Sequence, residues 1–267
     1  LAERTPRIEV AGVVFGVAGL GATARAWAEE RYGPFLSRRA PTFGVRVRTT
    51  ERYRPGRTPR PSATWAGGRF ALASHPSRAH GDLGRRRVDF RAGPGPALNP
   101  DLFRLLCSFL LMQKGGVLLH ASSVVNGGRA WVFSGPSGSG KTTIAGLAGD
   151  RPVLNDETIA LRPAPRGWEA CATPFYGSGG PSMARTNERA PIRGLCFLRK
   201  ADHFARRRLS ASEAVARAFP EVMLPKRDDR VTTRLLDTLA ALVATVPTWE
   251  LAFKPEPALW SYLDGLD

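Results

Sequence analysis

The stretch that decides the reading of this chain is HASSVVNGGRAWVFSGPSGSGKTT, residues 120–143. Its tail, Gly135-Pro-Ser-Gly-Ser-Gly140-Lys141-Thr142, matches G-x-x-x-x-G-K-[ST], the pattern of a phosphate-binding loop between a strand and a helix. Glycines at 135, 138 and 140 let the backbone turn and approach a nucleotide without side chains in the way. Amides from Ser137 through Gly138, Ser139 and Gly140 to Lys141 would then point at phosphate oxygens, helped by the positive end of the helix that starts there. Lys141 is expected to reach the β and γ phosphates and Thr142 to ligate magnesium, with Thr143 beside them.

Working outward, "LLHASSVV" and "RAWVFSG" are β-rich runs separated by "NGG", and Asn-Gly between apolar runs is a hairpin signal. With Asn126 and Gly127 as the turn residues, Val125 faces Gly128 and His120 falls opposite Phe133, at the end of the strand that feeds the loop. The helix after the loop, "KTTIAGLAGD", is read as two to three turns. After it "PVLNDETIALRP" reads as a strand carrying Asp156 and Glu157, the first of them 15 positions past Lys141. Adjacent residues of a strand point to opposite faces, so the two carboxylates are expected to hold different jobs. One would orient magnesium, and the other would take the proton of an incoming hydroxyl. Hairpin, loop, short helix and acidic strand in that order are unlike the organisation in which the metal-linked acid comes from a distant strand.

The chain has 267 residues, of which 43% are hydrophobic, so it can bury a substantial core. No apolar run is long enough to cross a bilayer and "LAERTPRIEV" lacks the layout of a secretory leader, which points to a cytoplasmic protein with no membrane partner. Cys107, Cys171 and Cys196 are widely spaced, with no CxxC, and read as reduced thiols. The net charge is +16, and residues 1–100 alone carry 18 arginines against 7 acidic residues. Arg85-Arg86-Arg87 and Arg206-Arg207-Arg208 lie in no nucleic-acid motif, so neither DNA nor RNA is expected; solvated surface, an acidic partner and phosphate contact all stay open.

The first ninety-odd residues alternate short strands ("RIEVAGVVFGV", "FGVRVRTT", "RFALASH", "RRVDFRAG") with turns and one helix, "GATARAWAEERYGPFL". They predict a small basic α+β domain over 1–95, bounded by the Gly- and Pro-rich "RAGPGPALNP" and followed by a P-loop domain over 96–267. "DLFRLLCSFLLMQ" is expected to be a core helix. Downstream, "TPFYGSGGPSMARTNERAPI" is a candidate loop over the site in which Arg185 and Arg189 could meet a transferring phosphoryl group. "SASEAVARAF" and "DDRVTTRLLDTLAALVATV" read as helices and "TWELAFKP" as a strand.

At these residues the chain resembles the C-terminal catalytic domain of HPr kinase/phosphorylase: "LLH" with His120, "NGG", "GPSGSGKTT", and "NDE" with Asp156 and Glu157. "TPFYG", "GLCFLRKADHFARRRLSASEAVARAF" and "VPTWELAFKPEPALW" look like the tail of HPr-kinase-related proteins that include lasso-peptide kinases, and the resemblance spans about residues 100–262. It implies an α/β fold with a P-loop core, a mixed sheet and an antiparallel hairpin feeding the loop, as in HPr kinase and phosphoenolpyruvate carboxykinase. It further implies a kinase that uses ATP or another nucleoside triphosphate with Mg2+, Asp156 as base, Lys141 and Thr142 on phosphate and metal, Glu157 supporting the metal and His120 near the reacting phosphate. The acceptor so implied is a serine of a peptide or protein, and a homo-oligomer is in keeping with the family. Here the second acid is Glu where the family has Asp, and the N-terminal region differs from that of true HPr kinases. A kinase of a small hydroxylated metabolite and a non-catalytic nucleotide-binding regulator remain the alternatives.

Overall fold

Two long strands, Val117–Asn126 and Arg189–Lys200, organise the half of the chain that holds the glycine loop. The computed structural model describes residues 5–49, 60–93, 96–176, 186–225 and 228–265. Contacts divide it into two units, Leu1–Gln113 with Met223–Arg234, and Lys114–Val222 with Leu235–Asp267. Each unit carries a sheet that mixes parallel and antiparallel pairs.

In the first unit the strands are β1 (Arg7–Val10), β2 (Val13–Ala18), β3 (Phe43–Thr49), β4 (Ser62–Ala66), β5 (Arg69–Ser74), β6 (Ser77–Asp82) and β7 (Arg87–Ala92). They lie in the order β1-β2-β3-β7-β6-β5-β4. "RIEVAGVVFGV" is therefore a hairpin rather than one strand. Ala11 and Gly12 both take positive φ, 49° and 82°, and Val10 pairs Val13 across that two-residue turn. Helix α1 (Ala22–Tyr32) links β2 to β3. Val45, Val47, Val88, Phe90, Phe70 and Leu72 are buried on one face of the sheet. Helix α2 (Pro100–Gln113) packs there: Phe103 meets Phe15 and Tyr32 edge-on at 5.1 and 5.4 Å, and Phe109 meets Phe70 at 4.5 Å. These ring contacts are why the break in contacts falls after α2 and not at the Gly/Pro stretch near residue 95.

In the second unit the long strands become β8 (Val117–Asn126) and β13 (Arg189–Lys200), with β9 (Arg129–Ser134), β10 (Val153–Asn155), β11 (Thr158–Ala164) and β12 (Gly167–Cys171) between them. Strand β9 pairs β8 antiparallel and β13 parallel, while β11 and β12 bridge β8 to β13 by the other route. The pairings thus return on themselves, and β9 is held on both edges. Strands β14 (Ala205–Arg208) and β15 (Thr248–Phe253) extend the sheet past β13. Phe133, Ile144, Phe253 and Trp260 belong to one buried cluster, and Trp249 packs partly buried against it. The run Arg206-Arg207-Arg208 is not simply solvated: Arg206 and Arg208 lie 4.5 and 4.8 Å from the Trp249 ring, and Arg207 pairs Glu213 at 2.9 Å.

The hairpin register differs from the sequence expectation. Asn126 pairs Arg129, so the turn residues are Gly127 and Gly128, with φ 57° and 74°. Two glycines take the left-handed pair of a type I′ turn with no Cβ penalty at either position, and this displaces Asn-Gly. Ser122, not His120, consequently faces Phe133.

Among the described residues no helix is long and apolar enough to cross a membrane. All three cysteines are free and buried, and burial pushes the Cys171 thiol up to about 11 and those of Cys107 and Cys196 upward too. At pH 8 a thiol of that pKa is roughly 0.1% thiolate, the form that reacts. A disulfide reagent should therefore label no thiol in the native chain within minutes and three after unfolding; fast native labelling would contradict the burial.

Candidate active site

The loop begins where β9 ends. Ser134 is buried and its hydroxyl donates to the carbonyl oxygen of His120 at 3.0 Å, tying the strand end to β8. From there Gly135, Gly138 and Gly140 run with φ of 145°, 80° and 108° into α3 (Lys141–Gly146). The six residues of α3 are fewer than two turns, shorter than "KTTIAGLAGD" suggested, because the chain turns back at Leu147 and Gly149. A Cβ on Gly140 would stand 2.5 Å from the Phe253 ring, so position 140 requires glycine for both its backbone and its neighbour. Helix α3 is fixed from below: Ser122 donates to the Lys141 carbonyl at 3.0 Å, and the Trp260 indole donates to that of Leu147 at 2.6 Å.

An open cleft of about 300 Å³ lies over this turn. Its loop side is Ser137, Gly138, Gly140, Lys141, Thr142 and Thr143, and its opposing side chains are His120, Glu157 and Lys200. Gly135 and Ser139 do not line the cleft, and the Ser139 hydroxyl is buried with no hydrogen-bond partner among the described residues. Lys141 is only 6% exposed, and its ammonium donates to the carbonyls of Gly135 at 2.7 Å and Pro136 at 3.1 Å. Burial lowers its pKa, and the carboxylates of Glu221 and Glu157 act against that shift.

Asp156 and Glu157 do not lie within a strand. They occupy a bend between β10 and β11, so the alternation of faces does not apply to them. Asn155 makes the bend: its side-chain oxygen accepts from the backbone N–H of Glu157 at 2.7 Å and Thr158 at 2.9 Å. Its amide nitrogen donates to the carbonyls of Thr173 and Phe175 at 2.9 and 3.1 Å, anchoring the turn. Glu157 thereby reaches the cleft, whereas Asp156, half-buried, stands beside it and off the cleft lining.

His120 lies between two carboxylates. Its Nε2 is 3.6 Å from Glu157 and its Nδ1 3.2 Å from Glu221. Glu221 ends helix α4 (Ala211–Glu221), whose start is a capping box: Ser210 accepts from the Glu213 N–H and Glu213 accepts from that of Ser210. The helix end is pinned where Val222 bridges Leu119, the neighbour of His120. Sequence reading missed Glu221 and Lys200: it found the helix, but no local pattern ties its last residue to a strand about a hundred positions earlier.

Arg189 is the first residue of β13, paired with Cys171 and 3.8 Å from Glu169, because β12 draws it into the sheet. It is not part of a loop and does not line the cleft. Arg185 lies outside the described residues. Among the described residues no three His, Cys, Asp or Glu side chains gather as a metal cage. Magnesium held by a hydroxyl, one or two carboxylates, phosphates and water needs none. No protein-family model matches this chain, and no curated protein matches it either.

Proposed function

We propose that this chain is a P-loop kinase of the HPr-kinase-like type, transferring the γ-phosphoryl group of ATP to a serine hydroxyl of a peptide or protein. The observation that carries this reading is one cleft walled by the glycine loop with Lys141 and Thr142 and by the His120–Glu157 pair. A phosphate grip faces a carboxylate across a space of nucleotide-phosphate scale.

The residues suit both nucleotide and metal. Gly138 has nothing within 4 Å of a Cβ position, leaving room for phosphate against the backbone, and Lys141 offers a cation that burial has already stripped of water. Thr142 and Glu157 would hold Mg2+, which when bound supplies charge neutralisation to the phosphates. Asp156, next in the chain but off the cleft lining, is assigned the proton from the resemblance to HPr kinase. The acceptor oxygen attacks the γ-phosphorus, the bond from phosphorus to the β–γ bridging oxygen breaks with its electron pair leaving on ADP, and the hydroxyl proton passes to the carboxylate. Lys141 and Lys200 stabilise the charge that spreads over the moving group. His120, held by Glu221, keeps Glu157 in place.

Incubation with γ-labelled ATP, Mg2+ and serine-containing peptides tests the reading, with label expected on a seryl side chain. Transfer to a small hydroxylated metabolite while every peptide fails would mark a small-molecule kinase. Tight ATP binding with neither turnover nor transfer would mark a nucleotide-binding regulator.

A further inference from the structure

The outer face of the first unit's sheet carries a charge pattern that the fold itself does not explain. Arg48 on β3 pairs Arg91 on β7, and Arg91 pairs Arg78 on β6, so three arginines stand side by side on adjacent strands. Neighbouring strands are about 4.8 Å apart, and like charges directly opposite one another destabilise a sheet. Arg46, Arg87 and Arg69 extend the same face, and among the described residues of β3, β5, β6 and β7 only Asp89 and Asp82 set carboxylates against the six arginines there. All six are exposed, and among the described residues none has an ion pair. Gly16, Ala18 and Gly44 form the floor of a depression of about 240 Å³ beside Arg46, Arg87 and Asp89, since none of the three raises a side chain of any size.

We propose that this sheet face is the docking surface for an extended acidic segment of a partner protein. Arg46 and Arg48 are two positions apart on β3. That repeat, about 6.8 Å, is also the spacing of alternate carboxylates in an extended peptide. Guanidinium groups bind carboxylates in a two-bond fork, and the small-residue floor lets a backbone lie close. Nucleic acid suits the face less well. Sheets that read single strands stack bases on exposed aromatic rings. The exposed positions of β3, β5, β6 and β7 are Arg, His, Asp, Thr, Ala and Gly, and Phe70 and Phe90 face inward. The repulsion along the Arg48–Arg91–Arg78 row is relieved when carboxylates arrive, so the row is tuned to the complex and not to the free fold. This inference is independent of the kinase reading.

Fluorescence anisotropy of a labelled decaglutamate peptide with the full chain tests it, at about 0.1 M salt, where charges more than ~10 Å apart are screened. The variant Arg48→Ser/Arg78→Ser/Arg91→Ser is compared with Arg38→Ser/Arg60→Ser/Arg166→Ser, which loses the same charge elsewhere. The face variant is expected to weaken binding about tenfold or more and the control less than about threefold, a split that bulk charge cannot produce. Its thermal midpoint should equal or exceed the parent's, because the side chains stand in water and the like-charge repulsion along the row is removed. Should the triple variant misfold, Arg91→Ser alone, central in the row, must still weaken binding more than Arg166→Ser. Equal loss in face and control variants, no peptide binding, or face-dependent binding of an oligothymidylate of equal charge in preference to the peptide would each overturn the proposal.

Discussion

Lys141→Met is expected to abolish phosphoryl transfer, by about 10³-fold or more, while leaving the fold intact. Two observations set the two halves of that result. The ammonium lies in the cleft wall beneath the glycine loop, where a positive charge aimed at a developing negative one is worth most because little water screens it. Its pKa is lowered by burial, which means the protonated lysine is less at ease in the folded chain than in the unfolded one. For a base whose folded pKa is depressed, the unfolded state binds more protons between the two pKa values, so stability rises as pH climbs through that window. Below that window the cost is present in full. Methionine occupies similar volume without that cost, and the two carbonyls of Gly135 and Pro136 give up hydrogen bonds in exchange. The unfolding midpoint at pH 7 should therefore hold or rise slightly while nucleotide-dependent transfer disappears. A variant that keeps transfer would remove Lys141 from the chemistry, and one that unfolds would show that the loop hydrogen bonds outweigh the buried charge.

Strand, loop and helix around residues 129–146 are legible in the sequence because each depends on local chemistry: β-rich runs, glycines where φ must be positive, and a terminal apolar pattern. The details that failed are those in which two local choices compete. Asn126-Gly127 and Gly127-Gly128 both make tight turns, and only the pairing of Asn126 with Arg129 decides between them. Asn155 is the last residue of β10, and its side chain accepts from the backbone amides of Glu157 and Thr158, which turns the "DE" of "NDE" from strand to bend. Long-range placement is a different matter. "FGVRVRTT" announces an alternating strand, yet nothing in it says that β7 and then β6 lie alongside, and it is this order that lines up Arg48, Arg91 and Arg78. Lys200 comes to the cleft, and Glu221 to the His120 that lines it, by the same kind of sheet and helix assembly, which no spacing in the chain encodes.

The bend at Asn155 also determines how the two carboxylates should respond to neutralisation, and here the second large effect is expected. Asp156→Asn and Glu157→Gln each change one oxygen to an NH2 group, so volume and backbone are preserved. Glu157 lines the cleft and touches His120, which Glu221 holds from the other side. Its amide should weaken magnesium-dependent nucleotide binding, and excess Mg2+ should restore part of the activity. If Asp156 takes the acceptor proton, its amide should lower transfer by about 10²- to 10⁴-fold with nucleotide affinity nearly unchanged, and added metal should restore nothing. Nucleotide affinity by calorimetry and transfer by label separate the two behaviours. The opposite pattern, with Asp156→Asn active and Glu157→Gln binding Mg·ATP tightly but transferring nothing, would move the base to the residue that lines the cleft. Equal, full activity in both variants would leave the cleft a nucleotide grip without a base, and a regulator would then account for it better than a kinase.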